Sequence, residues 1–184
     1  PWGLCIALAE TAVRNGVELR LNSPVTEIED MGEHCRLHTP SGSVDTAYVI
    51  NCAGTHGHEI SAMAGRQEWE ARPSRGEYYL LDKSSGSMVR HVIFQCPSAA
   101  GKGVLVAPTV HGNLLVGPNA VSTQDADDCA VTAAGLEAVA AAGKKSVPAL
   151  DLRQSIRNFA GVCAVTSEED FILRPSVGLP RMLH

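Results

Sequence analysis

Apolar residues at Leu4, Leu8 and Ala12, with Ile6 and Val13 widening the stripe, follow the spacing of one helix face and predict a helix over 4–15. Asn15-Gly16 supplies a left-handed stop. Val17, Leu19 and Leu21 then alternate with Glu18 and Arg20, which predicts a half-buried strand. Asn22-Ser23-Pro24 predicts a turn, and 25–29 a second strand or a continuation after a bend. The stretches 34–39 and 44–52 flank Pro40-Ser41-Gly42-Ser43 as a hairpin with a four-residue loop. Tyr48-Val49-Ile50-Asn51-Cys52 is nearly continuous in apolar character, which predicts burial on both faces. Ala53-Gly54-Thr55-His56-Gly57 and a short helix to about 64 follow it. A buried strand, a Gly-rich turn and a helix together form the arrangement that holds ligands at the edge of α/β sheets.

Beyond Ala64 the pattern changes. Residues 66–75 are polar, and the chain then becomes strand-rich over 76–81, 88–96, 104–107 and 113–116, with breaks at Ser84-Ser85-Gly86, 97–103 and His111-Gly112-Asn113. Short strands with tight connections predict an antiparallel sheet. Asp125, Asp127 and Asp128 precede an Ala-rich helix predicted over 130–142, with Gly143 as its stop and Lys144-Lys145 at its negative end. Residues 151–157 fit a helical turn or the start of a strand, and 159–165 and 170–173 read as two more strands. The fold class expected is α+β: an antiparallel or mixed sheet flanked by helices, joined to part of a second domain.

Composition narrows the function. At 184 residues the chain can bury one sizeable core, or two small lobes, and a single compact domain of 19.4 kDa would expose roughly 8,500 Å². Hydrophobic residues at 45% and charged residues at 19% exclude wholesale disorder. A net charge of −5 without a Lys/Arg cluster, and aromatics at only 4%, argue against a nucleic-acid surface. No apolar run reaches the ~18 residues of a membrane span. Residues 4–9 are too short and lack the basic flank of a signal peptide. The chain starts at Pro1 inside an apolar pattern, which predicts a piece of a longer protein. The six cysteines are dispersed in apolar segments with no Cys-x-x-Cys, which predicts free, buried thiols and a cytoplasmic location.

The search for chemistry excludes more than it finds. No Gly-x-Gly-x-x-Gly occurs, since Gly101-Lys102-Gly103 is followed by Val106 at the required place, and no phosphate loop precedes Lys102 or Lys144. His34 and His38 fit a solvated strand, and His56 and His58 a loop without a third ligand, so no metal site is expected. The aspartates 125, 127 and 128 lack the Gly and distal Glu of a calcium loop and fit helix N-terminal charge. Cys163, between Val162 and Ala164, fits packing in an apolar strand. Two segments stand out: the run 48–54, where Gly54 permits close backbone approach, and Arg75-Gly76-Glu77-Tyr78-Tyr79, with a cation and two phenols at the start of the second lobe. A packing turn and a surface strand account for them equally well.

Taken in order, several segments resemble the FAD-dependent oxidoreductases of the D-amino-acid-oxidase-like class. Their pattern is closest to the branch that holds glycerol-3-phosphate dehydrogenases and L-2-hydroxyglutarate oxidases or dehydrogenases. The matching pieces are 17–26, Val49-Ile50-Asn51-Cys52-Ala53-Gly54, 75–83, 104–113, Val116-Gly117-Pro118-Asn119-Ala120 and Phe159-Ala160-Gly161-Val162. The resemblance implies a Rossmann-type FAD domain, partly represented over 1–72, an antiparallel roof over the isoalloxazine at 73–165, and a return segment at 166–184. It implies FAD as cofactor, with Val25 at a strand end against the dinucleotide and Cys52, Ala53 and Gly54 in the turn that passes close to it. Arg75 is then expected to contact the substrate anion and Tyr78 to act near the reacting carbon. The family's dehydrogenases carry an Arg where this chain has Cys163, and a Cys cannot supply that bidentate, charge-assisted contact.

The implied reaction is oxidation of a small anionic secondary alcohol, with hydride leaving for flavin N5 while a base takes the hydroxyl proton. As a base, Tyr78 would need a pKa lowered from about 10. The dinucleotide fingerprint is absent from these residues, so this chain alone is expected to bind no FAD tightly. A non-catalytic binding or assembly module, an amine-oxidising relative, and a homo-oligomer or electron-acceptor partner all remain open.

Overall fold

The computed structural model describes residues 2–97, 103–168 and 170–184. The break expected at 97–103 and the Gly101-Lys102 step fall almost entirely outside them. Helix α1 (Trp2–Arg14) forms as the periodicity predicts, yet none of its residues is buried. Residues 17–20 are not a strand. Strand structure requires a hydrogen-bonded neighbour, and no described segment pairs with them.

The first antiparallel meander follows: β1 (Glu27–Asp30), β2 (Cys35–Thr39) and β3 (Gly42–Thr46). Thr39 pairs with Gly42, so the hairpin loop is tighter than the expected four residues, and Gly42 takes a φ of 128° to close it. The chain breaks after Thr46 and resumes as β4 (Val49–Ile50). Val49 is buried, but Tyr48 and Ile50 are exposed, so this strand buries one face and not the two expected. A 3₁₀ turn (Gly54–His56) leads into α2 (Gly57–Met63).

The second sheet carries β5 (Ser74–Leu81), β6 (Ile93–Phe94), β7 (Leu105–Pro108), β8 (Leu114–Gly117) and β9 (Val121–Ser122). Helix α3 (Ala133–Ser146) and β10 (Ser155–Cys163) follow. Its order is β10-β5-β8-β7-β6, all antiparallel, with β9 beside β5. Helix α3 starts later than its Asp cluster predicts, because Thr132 is its cap: Thr132 Oγ1 accepts from Gly135 N at 3.0 Å. Gly143 does not end the helix but lies inside it, where a Cβ would come within 2.8 Å of Val116 Cγ1. It is a close-packing position. The strand expected at 170–173 does not form. The chain ends through β11 (Met182–Leu183), parallel to β4.

Two cores result. One joins Leu81, Val106, Leu114 and Val116 of the second sheet to Val139 of α3 and Leu150. The other joins Ile28, Cys35, Val49 and Ala64 to Leu179 and Met182 of the return segment. The accessible surface is 11973 Å², well above the roughly 8,500 Å² of a compact domain of this mass. The excess lies in apolar side chains left in solvent along α1, at Val17, Leu19 and Leu21, and at Phe171 and Leu173. The cysteines are free, as expected, but only Cys35 is buried. Cys5, Cys52, Cys96, Cys129 and Cys163 are exposed, which corrects the expectation of buried thiols. No helix among the described residues is long and apolar enough to cross a membrane.

Candidate active-site face

Strand β5 divides the candidate residues by parity, because successive side chains point to opposite faces. Arg75, Glu77, Tyr79 and Leu81 face α3; Ser74, Gly76, Tyr78 and Leu80 face the other way. On that front face Tyr78 pairs with Phe159 of β10, their rings stacked at 5.0 Å and 10°. Gly161 and Cys163 continue the same face along β10, opposite Gly76 and Ser74. A Cβ on Gly161 would meet nothing within 4 Å, so the surface beside Tyr78 is open. Burial, and secondarily Cys163, pushes the Tyr78 phenol above its ordinary value. A base needs the opposite shift, so Tyr78 stays protonated and offers a neutral hydroxyl that can donate a hydrogen bond.

Arg75 stands on the back face. Its side chain is 10% exposed, with Nη2 3.1 Å from Glu77 Oε1 and Nη1 donating to Asp128 Oδ2. Glu77, fully buried, also accepts from Thr132 N at 3.2 Å and Thr132 Oγ1 at 3.0 Å. The Asp128 carboxyl is held below its ordinary value by the Ala130 N–H and then, against burial, by Arg75 and Thr123. Two carboxylates therefore engage the two terminal nitrogens of the guanidinium on the back face of β5, and its Nε is buried without a hydrogen-bond partner among the described residues. The aspartates expected at a helix start belong instead to a loop that Arg75 and His56 hold: Asp128 meets Arg75, and Asp127 Oδ1 lies 3.3 Å from His56 Nε2.

The cofactor candidates converge. Val25, Cys52 and Ala53 line one groove of about 250 Å³ with Ile28, Val49 and Asn51. Gly54 lies just beyond, at φ 59°, with open space where a Cβ would stand. It borders a small cavity shared with His58, Trp69 and Ala164, Val165 and Thr166, the residues that follow Cys163. The turn after β4 and the end of β10 thus meet. A largely apolar groove along Val25, Cys52 and Ala53, followed in the same turn by a left-handed glycine with open space at its Cβ position, fits an extended cofactor that approaches the backbone. Among the described residues no group of three His, Cys, Asp or Glu side chains is placed to hold a metal.

Two features were not assigned from sequence. Asn51, inside the singled-out motif, bonds across the turn that follows it. Glu68 is a buried carboxylate: burial would raise it, but hydrogen bonds from Ser176 Oγ and Val177 N, both 2.6 Å, with His184 and Arg174 nearby, hold it below its ordinary value. A charge beside Trp69 in an otherwise polar linker gave no such signal.

The chain is 47% identical over 177 residues to a glycerol 3-phosphate dehydrogenase of Caloramator mitchellensis, covering 96% of this chain and 37% of that protein. It superposes on the dithionite-reduced L-α-glycerophosphate oxidase of Mycoplasma pneumoniae with FAD bound, with a TM-score of 0.88 at 27% identity, over 96% of this chain and 47% of that one. Glycine oxidase of Geobacillus kaustophilus shares the fold, with a TM-score of 0.80 at 20% identity over 98% of this chain and 46% of that one. The chain thus spans between about a third and a half of the length of the relatives it matches. The model of the family described as FAD dependent oxidoreductase (DAO) matches residues 1–184, and the chain belongs to that family.

Proposed function

We propose that this chain supplies the cofactor turn and the substrate roof of an FAD-dependent dehydrogenase or oxidase acting on a small anionic secondary alcohol, with glycerol 3-phosphate the first candidate and a 2-hydroxy acid the second. The observation that carries this reading is the 47% identity to a glycerol 3-phosphate dehydrogenase across both the turn and the roof. Bound FAD supplies the acceptor for the substrate hydride. Val25, Cys52, Ala53 and Gly54 line the passage for the dinucleotide. The front face of β5 and β10 presents Tyr78 as a neutral hydroxyl donor, its ring fixed by Phe159, and Gly161 leaves room above it. Arg75 secures the back of the same strand, so we withdraw it from substrate contact.

The non-catalytic reading draws on Cys163, at a place where the resemblance implies an Arg in the family's dehydrogenases. Both readings meet in one experiment. The protein from the complete reading frame is purified, its visible flavin absorbance recorded, and glycerol 3-phosphate, L-2-hydroxyglutarate and glycine are added without oxygen. Bleaching by either hydroxylated anion is expected. Bleaching by glycine alone, or a protein that takes up no flavin, overturns the proposal.

A further inference from the structure

The backbone between β4 and α2 carries the candidate cofactor contacts Cys52, Ala53 and Gly54, and one side chain spans it. Asn51 Oδ1 accepts from Ala53 N at 3.2 Å, while Asn51 Nδ2 donates to the Gly57 carbonyl at 2.7 Å. One amide therefore closes both ends of the turn. A third contact reaches away from it: Asn51 Nδ2 lies 3.3 Å from His184 Nδ1.

The chemistry of these groups permits one orientation of the amide. Turned over, Oδ1 would face the Gly57 carbonyl oxygen and Nδ2 would face the Ala53 N–H, two like-to-like contacts. With the amide as found, His184 Nδ1 must accept, so the ring is neutral and its proton sits on Nε2. That nitrogen points toward Glu68 Oε1 at 3.7 Å. The His184 side chain is only 2% exposed, and Trp69 packs edge-on against it at 4.5 Å and 83°. Burial holds the imidazole below its ordinary value, with Glu68 opposing and Arg174 reinforcing the shift. Asn51, Glu68, Trp69 and Arg174 are the groups facing the ring from the elements packed on it.

We propose that Asn51 is a positioning residue for FAD: it sets the shape of the turn 52–57 and, through His184, ties that turn toward the buried Glu68, which Ser176 and Val177 bond. The inference rests on the flavin reading above and names a residue that reading does not use.

The test uses the complete protein stripped of flavin and retitrated with FAD. Asn51→Asp keeps the shape and the acceptor but loses the donor; Asn51→Ser, smaller and uncharged, loses the span and covers the case in which the charged variant does not fold. Leu179→Ala, in the core beneath β4 but off the turn, serves as a destabilised control. Both Asn51 variants should weaken FAD about tenfold or more, while Leu179→Ala stays within about twofold of wild type. Imidazole titration by NMR gives a second reading. Asn51→Asp places a carboxylate at Nδ1 opposite Glu68 and should raise the His184 pKa, whereas Asn51→Ser should not. FAD affinities that track stability alike in all three variants, or that stay at wild type in both Asn51 variants, overturn the proposal. A wild-type protein that takes up no flavin overturns the functional reading instead. The positioning claim then stands or falls on the His184 titration, and an unchanged value in Asn51→Asp overturns it.

Discussion

Gly135→Ala sets two effects of opposite sign against each other. Gly135 lies in the first turn of α3, where alanine is favoured over glycine by about 1 kcal/mol. On propensity alone the substitution stabilises. The structure reverses that sign, because the new Cβ would overlap Oε2 and Cδ of Glu77. The carboxylate cannot swing into solvent: it is fully buried, paired with Arg75 and bonded twice to Thr132. Displacing it breaks a buried ion pair, which costs about 3–5 kcal/mol. The net expectation is a loss of about 2–4 kcal/mol, which lowers the urea midpoint by about 1–2 M at a slope near 2 kcal/mol/M. Urea unfolding followed by circular dichroism measures it. The same substitution in a Glu77→Ala background, where the obstacle is gone, should stabilise by about 1 kcal/mol. A Gly135→Ala protein that is more stable than wild type would refute the placement of Glu77 against α3.

Three further outcomes follow from the site. Tyr78→Phe in the complete enzyme should slow turnover by about tenfold at most and leave the pH profile unmoved, since a protonated donor is worth about one hydrogen bond; a vanished acid limb would restore Tyr78 as a base. Cys163→Arg should raise kcat/KM for an anionic substrate by about 10–100-fold through a charge-assisted contact, and steady-state kinetics with the neutral analogue glycerol as control will show whether the gain depends on charge. His56 lies between Glu59 Oε1 at 3.0 Å and Asp127 Oδ1 at 3.3 Å, and hydrogen bonds from these carboxylates raise its pKa. A raised folded value stabilises fully below the unfolded value of about 6.5 and is lost as pH rises through the folded one. The thermal midpoint of wild type should therefore fall across that window more than that of His56→Asn; parallel curves would remove the bridge.

Much of this arrangement was legible in the sequence, and what escaped it did so for physical reasons. The spacing of Leu4, Leu8 and Ala12 marks α1, and the short apolar runs with tight turns mark the antiparallel sheet. The alternation at Val17, Leu19 and Leu21 is as regular, yet alternation describes one strand and a strand exists only through its neighbour. Gly143 carries the same chemistry as a helix stop and as a packing notch; only the approach of Val116 decides between them. For Cys5, Cys52 and Cys163 an apolar neighbourhood along the chain does not make an apolar neighbourhood in space. Val25 and Cys52 share a groove that no local pattern shows; in the sequence only the family resemblance links them.

Arg75 is the instructive case. Its partner Asp128 lies 53 positions away and could not be inferred, but Glu77 could: two residues on in a strand is the same face, so a cation and a carboxylate there are neighbours by construction. By that parity β5 separates into a back face that carries the buried charges beside α3 and a front face that carries Tyr78 and its stacked partner, the side proposed to meet a ligand. The two faces answer to different measurements. Changes at Arg75, Glu77 or Gly135 should appear first as stability, and changes at Tyr78, Phe159 or Cys163 first as binding and turnover.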